Sequence, residues 1–119
     1  MSSGAEDCLF CRIIRKETAS TLIYQDEHAT AFRDIHPVGP VHILIVPNKH
    51  IASLNELTAE DEPLMGRLFG LARDLAAQEG IAAGGYRIIS NTGRDGGQSI
   101  FHLHLHLIGG GRLRLQGLQ

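Results

Sequence analysis

The chain has no tryptophan, only two cysteines among its 119 residues, and a net charge of just −2. It has no run of about 18 apolar residues, the length a membrane-spanning helix needs. A charge balance this close to neutral offers no strongly basic surface for nucleic acid or for an anionic membrane. Met1 to Asp7 lack the basic and apolar regions of a secretory signal, so the cytoplasm is the expected location. In that reducing compartment the two cysteines stay thiols unless they hold a metal. Internal repeats and low-complexity segments are missing too. With 43% apolar residues the chain can bury one core, so a single domain over 1–119 is expected, with 1–6 and 112–119 flexible.

What is present is concentrated near the end. In Phe101-His102-Leu103-His104-Leu105-His106-Leu107 three histidines alternate with leucines. Period two predicts a strand with the histidines on one face and the leucines on the other. At about 3.3 Å per residue, neighbouring imidazoles would stand roughly 6.5 Å apart. Just upstream, Asn91-Thr92-Gly93-Arg94-Asp95-Gly96-Gly97-Gln98-Ser99 is rich in glycine and small polar residues. Such a loop exposes backbone N–H groups that can cradle an anion. Imidazoles beside an anion cradle point to phosphate chemistry, although a row of three histidines can also hold a metal.

Cys8-Leu9-Phe10-Cys11 spaces two thiols as a zinc grip does, but zinc takes four ligands. A redox pair and two buried thiols are the other readings. Thr21–Gln25 reads as a strand, Asp26-Glu27-His28 as its turn, and Ala29–Asp34 as the partner strand. His42–Pro47 is a short, β-branched apolar run that predicts a buried strand. Thr58–Glu79 reads as the one long helix: Leu64, Leu68, Leu71 and Leu75 form a stripe, Thr58 and Asp61 a capping box, and Gly80 a stop. Pro63 argues for a start nearer Asp61. Gly66 and Gly70 share a helix face that another subunit's backbone could approach. Tyr86–Ser90 is a further strand. Hairpins with one helix give an α+β fold.

Four stretches together, Asp7–Glu17, Ala31–Pro37, Pro40–Ile51 and Gly96–Ile108, resemble in content and order the histidine triad (HIT) family, Hint branch, over roughly residues 7 to 110. The resemblance implies an antiparallel sheet of about five strands with one long helix, continued across a homodimer. It implies a purine nucleotide ligand such as AMP, and hydrolysis of nucleoside phosphoramidates through a nucleotidyl-histidine. His104 would be the nucleophile. His106 would contact the phosphoryl oxygens, with His42 as a fourth site histidine and His102 ordering the row. Asn91, Gly97, Ser99 and, more weakly, Gln98 would hold the phosphate. Asp34 would bind ribose, although it also reads as a carboxylate that closes a turn. Phe10, Ile13, Phe32 and Ile35 would wall the base pocket, although each also reads as core. Cys8, Cys11, His50 and His102 would bind a structural zinc ion, with no metal needed for the transfer itself. Dinucleoside polyphosphate hydrolysis, a non-catalytic nucleotide- or zinc-binding module and a catalytic metal on the histidine row are the rival readings. The tail Arg112–Gln119 departs from the aromatic, proline-bearing tail of animal Hint proteins, which leaves the amine side of the substrate open.

Overall fold

A computed structural model of the chain describes residues 7–113. The expected flexible segments fall outside those residues, apart from Arg112 and Leu113. In chain order the elements are α1 (Leu9–Ile14), β1 (Leu22–Gln25), β2 (Ala29–Arg33), β3 (Val41–Pro47), α2 (Glu62–Gln78), β4 (Tyr86–Ile89) and β5 (Leu105–Gly109). The strands form one antiparallel sheet in the order β1-β2-β3-β5-β4. The expected α+β architecture, five strands and one long helix, is therefore present.

Alternation along β3 and β5 divides two cores between the faces of the sheet. Ile43 and Ile45 on β3, with Leu105 and Leu107 on β5, face Leu68, Ala72, Leu75 and Ala76 of α2. On the other face Leu44 and Val46 meet Phe10, Cys11, Ile13 and Phe32. The sheet is thus packed by the long helix behind and only partly covered by α1 in front. The front leaves room for the histidines.

Three local expectations are revised. The long helix begins at Glu62, after a 3₁₀ turn Ala59–Asp61, with Pro63 in its first turn. A proline tolerates the first turn because its missing N–H has no helical partner there. The Thr58–Asp61 capping box does form, one turn ahead of the helix proper. Gly80 follows the helix with φ +76°, a conformation that favours glycine. Helix α1 went unread because six residues, LFCRII, carry too little periodicity. Its start is set by the Cys8 thiol, which accepts from the Cys11 N–H.

The third revision concerns the histidine strand. Only Leu105–Gly109 joins the sheet, so His102 and His104 precede β5 rather than belong to it. The ladder between β3 and β5 ends at Ile45↔Leu105. Beyond that point the Leu103 N–H bonds the Ile51 carbonyl instead. Side-chain bonds from the histidine rings take over from the ladder, as described below. Among the described residues no other element comes within 4 Å of a Cβ placed at Gly66 or Gly70.

Leu107 is fully buried where β3, β5 and β4 meet α2. Leu107→Ala should cost about 2–5 kcal/mol. Urea unfolding followed by circular dichroism measures it, and a loss under about 1 kcal/mol would show that this layer is not the core the packing describes.

Candidate active site

His42, His102 and His104 each have one ring nitrogen committed to a backbone group, and His106 is reached through His42. His104 Nδ1 lies 2.7 Å from the His102 carbonyl. A carbonyl only accepts, so Nδ1 carries the proton and Nε2 keeps a lone pair. His102 Nε2 lies 2.8 Å from the Pro47 carbonyl, which makes that nitrogen the donor and leaves Nδ1 unprotonated. His42 Nδ1 accepts from the Val38 N–H at 3.2 Å. Its Nε2 is therefore the protonated nitrogen and donates to His106 Nδ1 at 2.9 Å. That in turn places the remaining proton of His106 on Nε2. The backbone thus selects a tautomer for four imidazoles in sequence.

The rings pack edge to face. His104 and His106 centroids are 5.0 Å apart, and His42 and His106 are 5.1 Å apart. Phe10 stands against His104 at 5.1 Å and against Phe32 at 5.3 Å. Phe10, Ile13 and Phe32 are buried in the front core. Ile35 departs from that wall, for it is 80% exposed beyond the end of β2.

Asp34 plays two roles. One oxygen accepts the His36 N–H at 2.8 Å, the turn-closing bond. The other lies 3.4 Å from His42 Nε2. Residue spacing does not reveal this contact, because it joins a strand end to a residue across a loop. The carboxylate opposes the burial that lowers the basicity of the site. Burial pushes His104 and His42 below the ordinary imidazole pKa, and Asp34 acts the other way on both. His106 is pushed down to about 4, first by burial and then by His104 and His42, with Asp34 again opposing. Burial is also the main cause for His102, held at about 4.

The glycine-rich loop keeps its shape through its own side chains. Gln98, the weaker of the candidate phosphate contacts, engages its side-chain amide in and beside the loop. Its oxygen accepts the Gly93 N–H, and its nitrogen donates to the Ala52 and Ile100 carbonyls. Asn91 donates to the Gly96 carbonyl. Gly97 has φ +83°, a conformation that L side chains rarely adopt. Gly97 and Ser99 are exposed.

Behind the histidines, Cys8, Cys11, His50 and His102 bring four metal-ligating atoms within 4.8 Å of one another. Cys8 Sγ is 3.2 Å and Cys11 Sγ 3.5 Å from His102 Nδ1, and Cys11 Sγ is 3.4 Å from His50 Nδ1. Around tetrahedral zinc with bonds of about 2.0–2.3 Å, neighbouring donors stand about 3.5 Å apart. The two sulfurs and two nitrogens match zinc in kind and spacing, and the unprotonated Nδ1 of His102 faces the sulfurs. Burial first, then the neighbouring Cys8, raises the Cys11 thiol to about 11. A cation would reverse that order by favouring the thiolate. Asp34, His42 and His106 form a second close group, held by the bonds described above. The row His102-His104-His106 forms no such cluster among the described residues.

Comparisons agree with this geometry. The HIT domain family model matches residues 15–113. The chain is 52% identical over 106 residues to the purine nucleoside phosphoramidase of Escherichia coli (strain K12), covering 89% of each. A HIT family hydrolase from Legionella pneumophila superposes with a TM-score of 0.88 at 42% identity, covering 90% of this chain and 96% of that one. A histidine triad protein from Clostridium difficile superposes at 0.89 and 38% identity, covering 96% and 97%. No helix among the described residues is long and apolar enough to cross a membrane. By fold, by site geometry and by these matches, the chain belongs to the HIT domain family.

Proposed function

We propose that this chain hydrolyses the P–N bond of purine nucleoside 5′-phosphoramidates, with His104 as the nucleophile. The observation that carries this reading is the 2.7 Å bond from His104 Nδ1 to the His102 carbonyl, which leaves Nε2 as a free lone pair. The relative named for this activity supports the choice of substrate class.

In the first step His104 Nε2 attacks the α-phosphorus and the P–N bond breaks. The departing nitrogen takes a proton from the Ser99 hydroxyl, which regains one from solvent water, and leaves as the amine. The nucleotidyl-imidazole formed is cationic. Its Nδ1–H to the His102 carbonyl becomes a charge-assisted bond, stronger in the adduct than before. Water then attacks phosphorus, the bond to Nε2 breaks, and the nucleoside monophosphate departs. This is covalent catalysis in two displacements. His106 Nε2–H donates to a phosphoryl oxygen as charge develops there, and the Gly97 amide adds a second donor. His42 positions His106. Asp34 binds ribose hydroxyls, while Phe10, Ile13 and Phe32 back the base and Ile35 meets it from the exposed rim.

Cys8, Cys11, His50 and His102 would hold zinc, which when bound supplies a cross-link between α1 and the segment leading to His104. Protein fills all four positions, the pattern of a structural site. A homodimer in the cytoplasm completes the reading, and the unpaired edges of β1 and β4 offer the strand to extend.

Adenosine 5′-phosphoramidate hydrolysis followed by phosphorus NMR tests the reaction. The wild type should release AMP, and His104→Ala should lose activity by about 10³-fold or more, as nucleophile removal does elsewhere. Release that persists in the variant would identify another nucleophile, and no release by folded wild type would remove the phosphoramidate assignment. Replacing Cys8 and Cys11 with serine should lower Tm more than it lowers turnover, and the opposite pattern would contradict a structural metal. His106 also predicts a pH effect. Its folded pKa of about 4 lies below the unfolded 6.5, so the unfolded chain binds the extra proton between these values. This contribution to stability is complete above pH 6.5 and is lost as pH falls toward 4. His106→Asn should flatten that part of a denaturation-versus-pH series, and an unchanged slope would contradict the buried neutral imidazole.

A further inference from the structure

His42 has one ring proton, on Nε2, and two acceptors stand near it. His106 Nδ1 lies 2.9 Å away and Asp34 Oδ2 lies 3.4 Å away. The ring has no second proton to share out, because its Nδ1 accepts from the Val38 N–H. Asp34, His42 and His106 bring one atom each within 4.8 Å of one another, so the three close on that single proton. The carboxylate is the stronger acceptor, since a bond to an ionised group is roughly twice as strong as a neutral one. In this structure the proton goes to His106, and the carboxylate stands just beyond good hydrogen-bonding distance.

Asp34 has accepting capacity to spare. Its Oδ1 takes the His36 N–H at 2.8 Å, and no lysine or arginine pairs with it among the described residues. Its side chain is 19% exposed, whereas that of His42 is 4% exposed. Of the two, Asp34 is therefore the one that a ligand in front of the sheet touches. A carboxylate offers about four lone-pair sites, so a pair of hydroxyls gives it other protons to accept. Its pull on the His42 proton then falls. The effect reaches His106, because bonds in a chain polarise one another. An imidazole that accepts a stronger bond at Nδ1 is a better donor at Nε2.

We propose that Asp34 is a positioning residue that acts through His42. The cis-2′,3′-diol of a ribonucleoside occupies its carboxylate, and His42 then commits its proton to His106, whose Nε2–H meets the phosphoryl oxygen. The coupling rests on the reaction proposed above and narrows its substrates to those with a ribose diol. Sugar hydroxyls thereby act on the chemical step as well as on affinity. Asp34→Asn isolates the effect. Its amide oxygen can keep the His36 N–H, which turns the NH2 toward His42, where it accepts nothing.

The test compares AMP with 2′,3′-dideoxy-AMP, each at saturation, by NMR of the full chain carrying isotopically labelled histidine. The proton on His42 Nε2 should move further downfield with AMP than with the dideoxy nucleotide. In Asp34→Asn the two nucleotides should give the same position. In a parallel assay the dideoxy analogue of adenosine 5′-phosphoramidate should show a kcat about tenfold lower in the wild type, the size of one hydrogen bond, and a ratio near one in Asp34→Asn. Equal proton positions with both nucleotides in the wild type would overturn the proposal. So would a loss confined to KM, the mark of a plain binding contact, or a kcat difference that survives in Asp34→Asn. The wild-type NMR comparison needs neither turnover nor a folded variant. Movement specific to AMP without phosphoramidate hydrolysis would remove the reaction and keep the coupling. Hydrolysis with equal proton positions would remove the coupling and keep the reaction.

Discussion

The 2.7 Å hydrogen bond between His104 Nδ1 and the carbonyl two residues before it decides which nitrogen of the central imidazole is free. Everything else on the front face is arranged so that this bond persists. The carbonyl belongs to His102, whose own ring is fixed by the Pro47 carbonyl, and Pro47 ends β3. The lone pair of His104 is therefore referred back, through two hydrogen bonds, to the central strand of the sheet. An imidazole on a mobile loop would exchange tautomers and orientations. Here the choice is made before any ligand arrives, as preorganisation requires.

Burial and charge set the working state of these rings. An imidazole taken out of water resists protonation, and all four histidines of the front face shift downward for that reason. Carried far enough, the same shift would make His104 a poor base and a poor nucleophile. At His104 the bond to the His102 carbonyl and then the Asp34 carboxylate work against it, and Asp34 does the same at His42 and His106. The residue first noticed as a ribose contact thus has a second, electrostatic reason to be where it is. Its two oxygens are already divided between the His36 N–H and the His42 ring.

Much of this was legible in the chain because period and composition act locally. The apolar run at His42–Pro47, the leucine stripe of α2 and the alternation around His104 each dictate an element without help from the rest of the fold. The limits are equally specific. Strand β5 was read too long, because period two continues through His102 even where ring-to-carbonyl bonds have replaced the ladder. Nothing in a sequence shows that three backbone groups will engage the Gln98 amide. Ile35 was grouped with Phe10 and Phe32 by position in a motif, and only the turn after β2 reveals it as exposed.

The two halves of the site meet at His102 and at the Phe10–His104 contact, and the joint at His102 has two distinct sides. One side of the ring faces the cysteines through Nδ1, and the other side is held by Pro47 through Nε2. The Pro47 bond sets the tautomer of His102, so its Nδ1 faces the cysteines without a proton. The family match also begins at residue 15, after both cysteines. A metal there ties α1, and with it Phe10, to the segment that leads into β5. Phe10 is the residue that stands edge-on to His104, so such a tie acts on the wall behind the nucleophile rather than on its tautomer.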